Sequence, residues 1–286
     1  MTVNNWKNKG KMFTVFGRNI FVIDEGNSKE NLVILHGYPT SSYDYFKVLP
    51  ELSKHYRVII HDHLGYGFSD KPLNYSYSLI EQADVALELW KQLGLKSITL
   101  LAHDYGTSVA TEIIARHNKK MIPLEIETLI LCNGSIHIEL SKLRLIQKLL
   151  KNKKLGKHVA KLTNYGIFSK NMRNVFYDKS KISSNELSNM WDQLTFNKGK
   201  KVIHLISNYI NERYFFWHRW IGALKETNIS TKIIWAENDP VAVFAIAELL
   251  TQEIKNNQLF PIANTGHFPM LESPEEWIHL VLKKSI

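Results

Sequence analysis

Short apolar runs alternate with longer amphipathic ones along most of this chain. Residues 12–16, 19–25, 32–35, 57–61, 98–102, 128–132, 232–235 and 257–261 are rich in β-branched and aliphatic side chains and bounded by polar or glycine-containing turns, so each predicts a strand. Runs such as Leu32-Val33-Ile34-Leu35 lack polar alternation, as strands covered on both faces do. Between them lie stretches with apolar residues at helical spacing, for example residues 109–116. The pattern predicts an α/β fold: a mostly parallel eight-stranded sheet flanked by helices, with an antiparallel start.

From about residue 135 to 224 the strand pattern stops and helical spacing dominates. No repeat or low-complexity linker marks a separate unit, so this stretch is expected to be a helical lid inserted into one core. The expected organisation is core over 1–134, lid over 135–224 and core again over 225–286. Early in the lid, Leu140, Leu143, Leu145, Ile146, Leu149 and Leu150 alternate with Lys142, Lys148 and Lys151, as on an amphipathic helix, and Lys153, Lys154, Lys157 and Lys161 follow. Its apolar face is expected to cover the interior of the molecule; contact with an anionic membrane surface is the lesser alternative.

Composition adds bounds. At 286 residues and 44% apolar, the chain can bury one large core. Its net charge of +9 comes mostly from lysine, alongside abundant asparagine and isoleucine, which reads as compositional bias; no nucleic-acid-binding motif accompanies it. The amino-terminal residues lack the apolar core of a signal peptide, and no apolar run reaches membrane-spanning length. The single cysteine, Cys132, falls in an expected buried strand and can form no intrachain disulfide, so a reduced, cytoplasmic setting is expected. No histidine pair has the helical spacing and glutamate of a zinc site, and neither metal nor cofactor is expected.

The chemistry lies in the turns. Ser97-Ile98-Thr99-Leu100-Leu101-Ala102 ends in His103-Asp104-Tyr105-Gly106, with the helical run following at once. Small residues two before and two after Asp104 permit a sharp strand-to-helix turn that holds the central side chain out. Taken alone, Asp104 would pass for an ordinary helix cap. Three further turns change its meaning: His36-Gly37-Tyr38-Pro39 after one buried strand, Glu237-Asn238-Asp239-Pro240 after another, and Gly266-His267-Phe268 near the carboxyl end. In an open parallel sheet the turns at the carboxyl ends of strands line the ligand crevice, so the Tyr38 and Tyr105 backbone N–H groups are expected to face one another's site as an oxyanion hole.

With these landmarks and the stretch from Asp62 to Asp70, the chain resembles the α/β-hydrolase fold family over nearly its whole length. The order of nucleophile, acid and histidine matches. With aspartate at the elbow, it resembles the branch holding epoxide hydrolases and haloalkane dehalogenases. The segments HGYPTSSYDY from His36, HDYG from His103 and RWIGAL from Arg219 also resemble the mesoderm-specific transcript proteins of animals. Some related enzymes place the acid after the preceding strand, but here that strand ends in Asn133-Gly134, with no carboxylate.

The expected chemistry is displacement at saturated carbon. The Asp104 carboxylate would attack as nucleophile to give an alkyl ester, and His267, a general base oriented by Asp239, would activate the water that hydrolyses it. The substrate is expected to be a small apolar organic molecule, most readily an epoxide, whose ring oxygen needs a phenol donor. Of Tyr165, Tyr177, Tyr209 and Tyr214 in the lid, the resemblance implies Tyr209 as the leading donor, since it lies late in the insertion, ahead of the strand bearing Asp239, where the family's second ring-opening tyrosine is expected; Tyr165 is its weaker partner. Haloalkane dehalogenation and lactone opening are the alternatives. The resemblance implies that halide is cradled by indole N–H groups or an asparagine amide, yet Tyr105 and Tyr38 stand at the corresponding places; Trp191, Trp217 and Trp220 are the remaining indole candidates. The alternative of another class is a binding protein that keeps the scaffold without turnover. His36 and His103 are expected to support the turns rather than move protons.

Overall fold

The computed structural model describes residues 1–283. Eight strands form one sheet: β1 (Lys11–Val15), β2 (Arg18–Glu25), β3 (Asn31–Leu35), β4 (Arg57–His61), β5 (Ser97–His103), β6 (Glu125–Cys132), β7 (Ser230–Ala236) and β8 (Asn257–Ile262). Their order is β1-β2-β4-β3-β5-β6-β7-β8. The pairs β1–β2 and β2–β4 are antiparallel and all others parallel, as the sequence pattern predicts.

The central strands carry almost no polar side chains because helices cover both faces. Leu32, Val33, Ile34 and Leu35, and Leu100, Leu101 and Ala102, are wholly buried. Each such aliphatic side chain contributes about 1.5–3 kcal/mol relative to exposure. The helix Leu79–Gln92 and the helix Tyr105–Asn118 pack on each other and on the sheet.

Register places the functional turns at one level. Leu35 pairs with Ala102, His103 with Cys132, and Cys132 with Ile234, so β3, β5, β6 and β7 all end along the same edge. The chain runs outward from β3 to β4 and then returns to β5 on the other side of β3, which makes the crevice between the ends of β3 and β5 the topological switch point.

The segment between β6 and β7 is helical, ending in the helices Tyr209–Phe215 and Trp217–Glu226. The second of these lies on the helix Tyr105–Asn118, where Arg219 and Trp220 bond to buried Glu112. The amphipathic stretch expected from Leu140 is helical only over Leu145–Leu150, because Lys142 before it donates its backbone N–H to Val241 O at 2.9 Å and holds the chain extended against the core. Gln147 and Leu150 face inward, whereas Leu145 is 72% exposed. Among the described residues no helix is long and apolar enough to cross a membrane.

Candidate active site

Asp104 occupies the elbow between β5 and the helix Tyr105–Asn118 with φ 43° and ψ −107°, a conformation that costs a non-glycine residue about 1–3 kcal/mol. Its neighbours make that turn possible. A side chain at Gly106 would collide with the Leu35 backbone carbonyl, and one at Gly37 would come within 2.8 Å of His103 Nδ1 and 3.1 Å of Asp104 Cβ. The elbow is held from both sides: Asp104 N–H donates to Cys132 O at 3.2 Å, and Thr107 N–H donates to Asp104 O at 3.1 Å.

The carboxylate meets the turn after β3 directly. Tyr38 N–H donates to Asp104 Oδ2 at 2.9 Å. Tyr105 opens the helix beside it, and its N–H makes no hydrogen bond to the carboxylate as it stands. His36 fixes the same turn, with Nδ1–H donating to Gly37 O at 2.8 Å and Nε2 accepting from His63 N–H at 3.0 Å.

His267 stands opposite. Its Nε2 lies 3.8 Å from Asp104 Oδ2, ion-pair rather than hydrogen-bond distance, and its Nδ1–H donates to Asp239 Oδ2 at 2.6 Å. The other oxygen of Asp239 accepts the Val241 and Ala242 N–H groups at 2.7 and 3.0 Å. Asn133 donates to Asp239 Oδ2 at 2.8 Å and accepts Ala236 N–H at 3.1 Å, bridging the ends of β6 and β7. His103 donates Nε2–H to His267 O at 2.7 Å, bracing the histidine loop from behind.

The charges are strongly coupled. Burial resists ionisation of Asp104, but His267, followed by the Arg213 charge, holds its carboxyl well below the usual carboxylate range. Burial favours neutral His267, yet the Asp239 and Asp104 carboxylates push it up to about 10. The resting pair is therefore carboxylate and imidazolium. His103 goes the other way: burial, with the His267 charge adding to it, lowers it to about 4, so it is neutral.

Asp104 and His267 open into a cavity of about 80 Å³ between core and lid. Its walls are mostly apolar, with Ile146, Leu150, Phe168, Met172 and Phe268 prominent and Arg144 and Gln147 among the polar groups. Larger clefts elsewhere on the surface contain none of these residues.

The alpha/beta hydrolase fold family matches residues 30–274, from the start of β3 past the His267 loop. The chain belongs to this family. It is 39% identical to the mesoderm-specific transcript homolog protein of Bos taurus over 282 residues, covering 95% of this chain and 84% of that one. It is 32% identical to the putative hydrolase LipZ of Mycobacterium tuberculosis, covering 98% and 97%. Among solved structures, the epoxide hydrolase CorEH superposes with a TM-score of 0.76 at 18% identity, covering 96% of each chain. The haloalkane dehalogenase DbeA from Bradyrhizobium elkani superposes at 0.77 with 20% identity, covering 94% of this chain and 97% of that one. At such identities the superpositions establish the fold, which this hydrolase-family chain shares with several branches.

Within this hydrolase framework the lid aromatics separate. Tyr209 is wholly buried and is not among the residues that line the cavity; its ring packs against Tyr38 and Tyr105, and its hydroxyl accepts from the cavity-lining Gln147 Nε2 at 3.2 Å. Tyr165 is not brought to the cavity: it is 37% exposed and donates to Ser184 O at 3.1 Å, because its side of the helix Tyr165–Arg173 faces solvent. Tyr177 and Tyr214 are also exposed. Among the described residues no indole lines the cavity. Trp217 donates to Glu139, Trp220 donates to Glu112, and Trp191 packs on Phe168. Among the described residues no group of three or more His, Cys, Asp or Glu side chains could hold a metal ion.

Sequence reading missed Arg213. Fully buried, it donates to Ser108 Oγ at 2.7 Å and to Asp104 O at 3.1 Å, lies 3.8 Å from Asp104 Oδ1, and sits over the Tyr209 ring. Its position four residues after Tyr209 on one helix puts both on the same face, a spacing that could have flagged it.

Proposed function

We propose that this chain is a hydrolase that attacks saturated carbon with Asp104 and passes through an alkyl ester, with an epoxide as the favoured substrate. The observation that carries the reading is Asp104 at the elbow, with Oδ2 facing both Tyr38 N–H and His267. A carboxylate in that place can displace an alkoxide from a strained ring but cannot replace serine in ordinary acyl transfer.

In the first step Asp104 forms a C–O bond as the ring C–O bond breaks, and Tyr209 protonates the departing oxygen. Gln147 donates to the Tyr209 hydroxyl, which leaves the phenolic proton free to be given away. Ester formation removes the Asp104 charge that helped to keep His267 protonated. The imidazolium then releases its proton, which restores Tyr209, and becomes the base for the second step.

In that step water loses one proton to His267 and adds to the ester carbonyl. The oxyanion faces Tyr38 N–H, with Tyr105 N–H as the second donor. Collapse expels the alcohol, which takes the remaining proton of the water, and returns Asp104 to carboxylate and His267 to imidazolium. The net change is epoxide plus water to diol. Against halide displacement stands the fate of the indoles, whose N–H groups are either bonded elsewhere or away from the cavity.

His267→Gln should stop the second step and leave the first. Incubated with a panel of epoxides and alkyl halides, this variant is expected to gain a substrate-sized mass on Asp104, readable by peptide mass spectrometry. An epoxide adduct keeps the ring oxygen, whereas a halide adduct has lost halogen. A folded variant unlabelled across the panel would overturn the nucleophile assignment.

A further inference from the structure

The cavity holds one charged group that the hydrolytic reading leaves without a task. Arg144 lines it alongside Asp104 and His267, half-buried at the start of the lid helix Leu145–Leu150. Its backbone N–H donates to Gln147 Oε1 at 2.8 Å, but among the described residues its guanidinium has neither a hydrogen bond nor a carboxylate partner. Apart from Arg18, which is exposed on the surface away from this cavity, the other arginines of the fold are engaged. Arg57 pairs with Asp24, Arg116 with Asp84 and Glu112, and Arg219 with Glu112. Arg173 donates to the Lys179 and Ile182 carbonyls, and Arg213 to Asp104 O and Ser108.

We propose that Arg144 is the binding residue for a carboxylate on the substrate, so that the natural substrate is a small amphiphilic acid with its reactive carbon at the apolar end. This deepens the reading above and rests on it in taking this cavity as the substrate site. Charge balance favours it. The lining carries two cations, Arg144 and the His267 imidazolium, against one carboxylate, Asp104. Esterification would erase that carboxylate. An anion beside Arg144 offsets the excess, and the planar guanidinium accommodates a carboxylate in two parallel hydrogen bonds. The apolar walls formed by Ile146, Leu150, Phe168 and Met172 suit an alkyl chain running from that group towards Asp104.

The basic lid acquires a role from the same arrangement. Lys142 and Lys148 flank Arg144 and are exposed, and Lys153, Lys154 and Lys157 follow on the same surface segment. A cluster of one sign near a low-dielectric cavity raises the local concentration of oppositely charged ligands.

The test uses unreactive ligands, so it does not depend on the nucleophile. Hexanoate and hexanamide would be titrated calorimetrically into the full chain and into Arg144→Gln and Arg144→Lys. Hexanoate should bind the native protein at least about tenfold more tightly than hexanamide, as a charge-assisted paired contact implies. The preference should vanish in Arg144→Gln, survive in part in Arg144→Lys, and weaken with added salt. Equal binding of acid and amide, a preference that persists in Arg144→Gln, or no saturable binding of hexanoate would each overturn the proposal. Labelling of Asp104 by a neutral epoxide reports separately on the reaction, so a failure of one is not a failure of the other.

Discussion

Asn133 and Asp239 share a hydrogen bond of 2.8 Å across the ends of adjacent strands, and the Asp239 oxygen involved also receives His267 Nδ1–H. Asn133 directly follows β6. In this chain that place holds an amide which orients the acid of the next strand. The two side chains touch, so a carboxylate at position 133 would lie one hydrogen bond away from the oxygen that receives His267 Nδ1–H.

Asp239→Asn should cut turnover by about 10³–10⁴, the loss expected when a histidine loses the carboxylate that fixes its tautomer. Adding Asn133→Asp to that variant moves a carboxylate to the neighbouring strand and should restore activity at least about tenfold over the single variant. Steady-state rates with a substrate that labels Asp104 read both effects; an unrescued double variant would show that only the β7 position can orient His267.

Arg213→Met removes a buried cation and leaves Ser108 Oγ and the Asp104 backbone carbonyl without it. Stability should fall by on the order of 3 kcal/mol, as when one partner of a buried pair is lost. Urea unfolding measures this. Because Arg213 is one of the charges that hold the Asp104 carboxyl low, the acidic limit of Asp104 labelling should also move to higher pH in the variant.

Tyr209→Phe should lower the rate of epoxide opening by about 10²-fold or more, the usual share of a positioned proton donor. A halide leaves without a proton, so alkylation of Asp104 by an alkyl halide should change little. Tyr165→Phe, whose hydroxyl reaches Ser184 O on the lid surface, should leave both rates as they were and stability within about 0.5 kcal/mol. Comparing the two substrate classes in single turnovers separates ring protonation from loss of lid packing.

His267 makes stability depend on pH on the alkaline side. Folded, it keeps its proton to about pH 10; unfolded, it loses it near its ordinary value of 6.5. Between those limits the folded state binds more protons, so raising the pH destabilises it. The contribution is complete below about 6.5 and is lost as pH rises through 10. Denaturant midpoints followed from pH 6 to 10.5 should fall for the native chain and fall less steeply for His267→Gln.

The amino-acid sequence by itself determined the sheet and the turns that meet at one edge of it. Buried strands such as Leu32–Leu35 and Leu100–Ala102 announce themselves through uninterrupted aliphatic runs, and the elbow through small residues around Asp104, since these are local signals set by burial and backbone sterics. The landmarks at Tyr38, Asp239 and His267 were legible because each follows a strand end, and parallel register then brings strand ends to one edge. Tertiary structure alone decided which side chains of the inserted helices turn inward. Whether Tyr209 or Tyr165 turns inward depends on how each helix packs, a matter of a rotation that composition does not encode. Arg213 beside Asp104 and Arg144 without a partner emerge only in three dimensions, because the worth of a charge is set by its burial and by which opposite charge, if any, the fold places beside it.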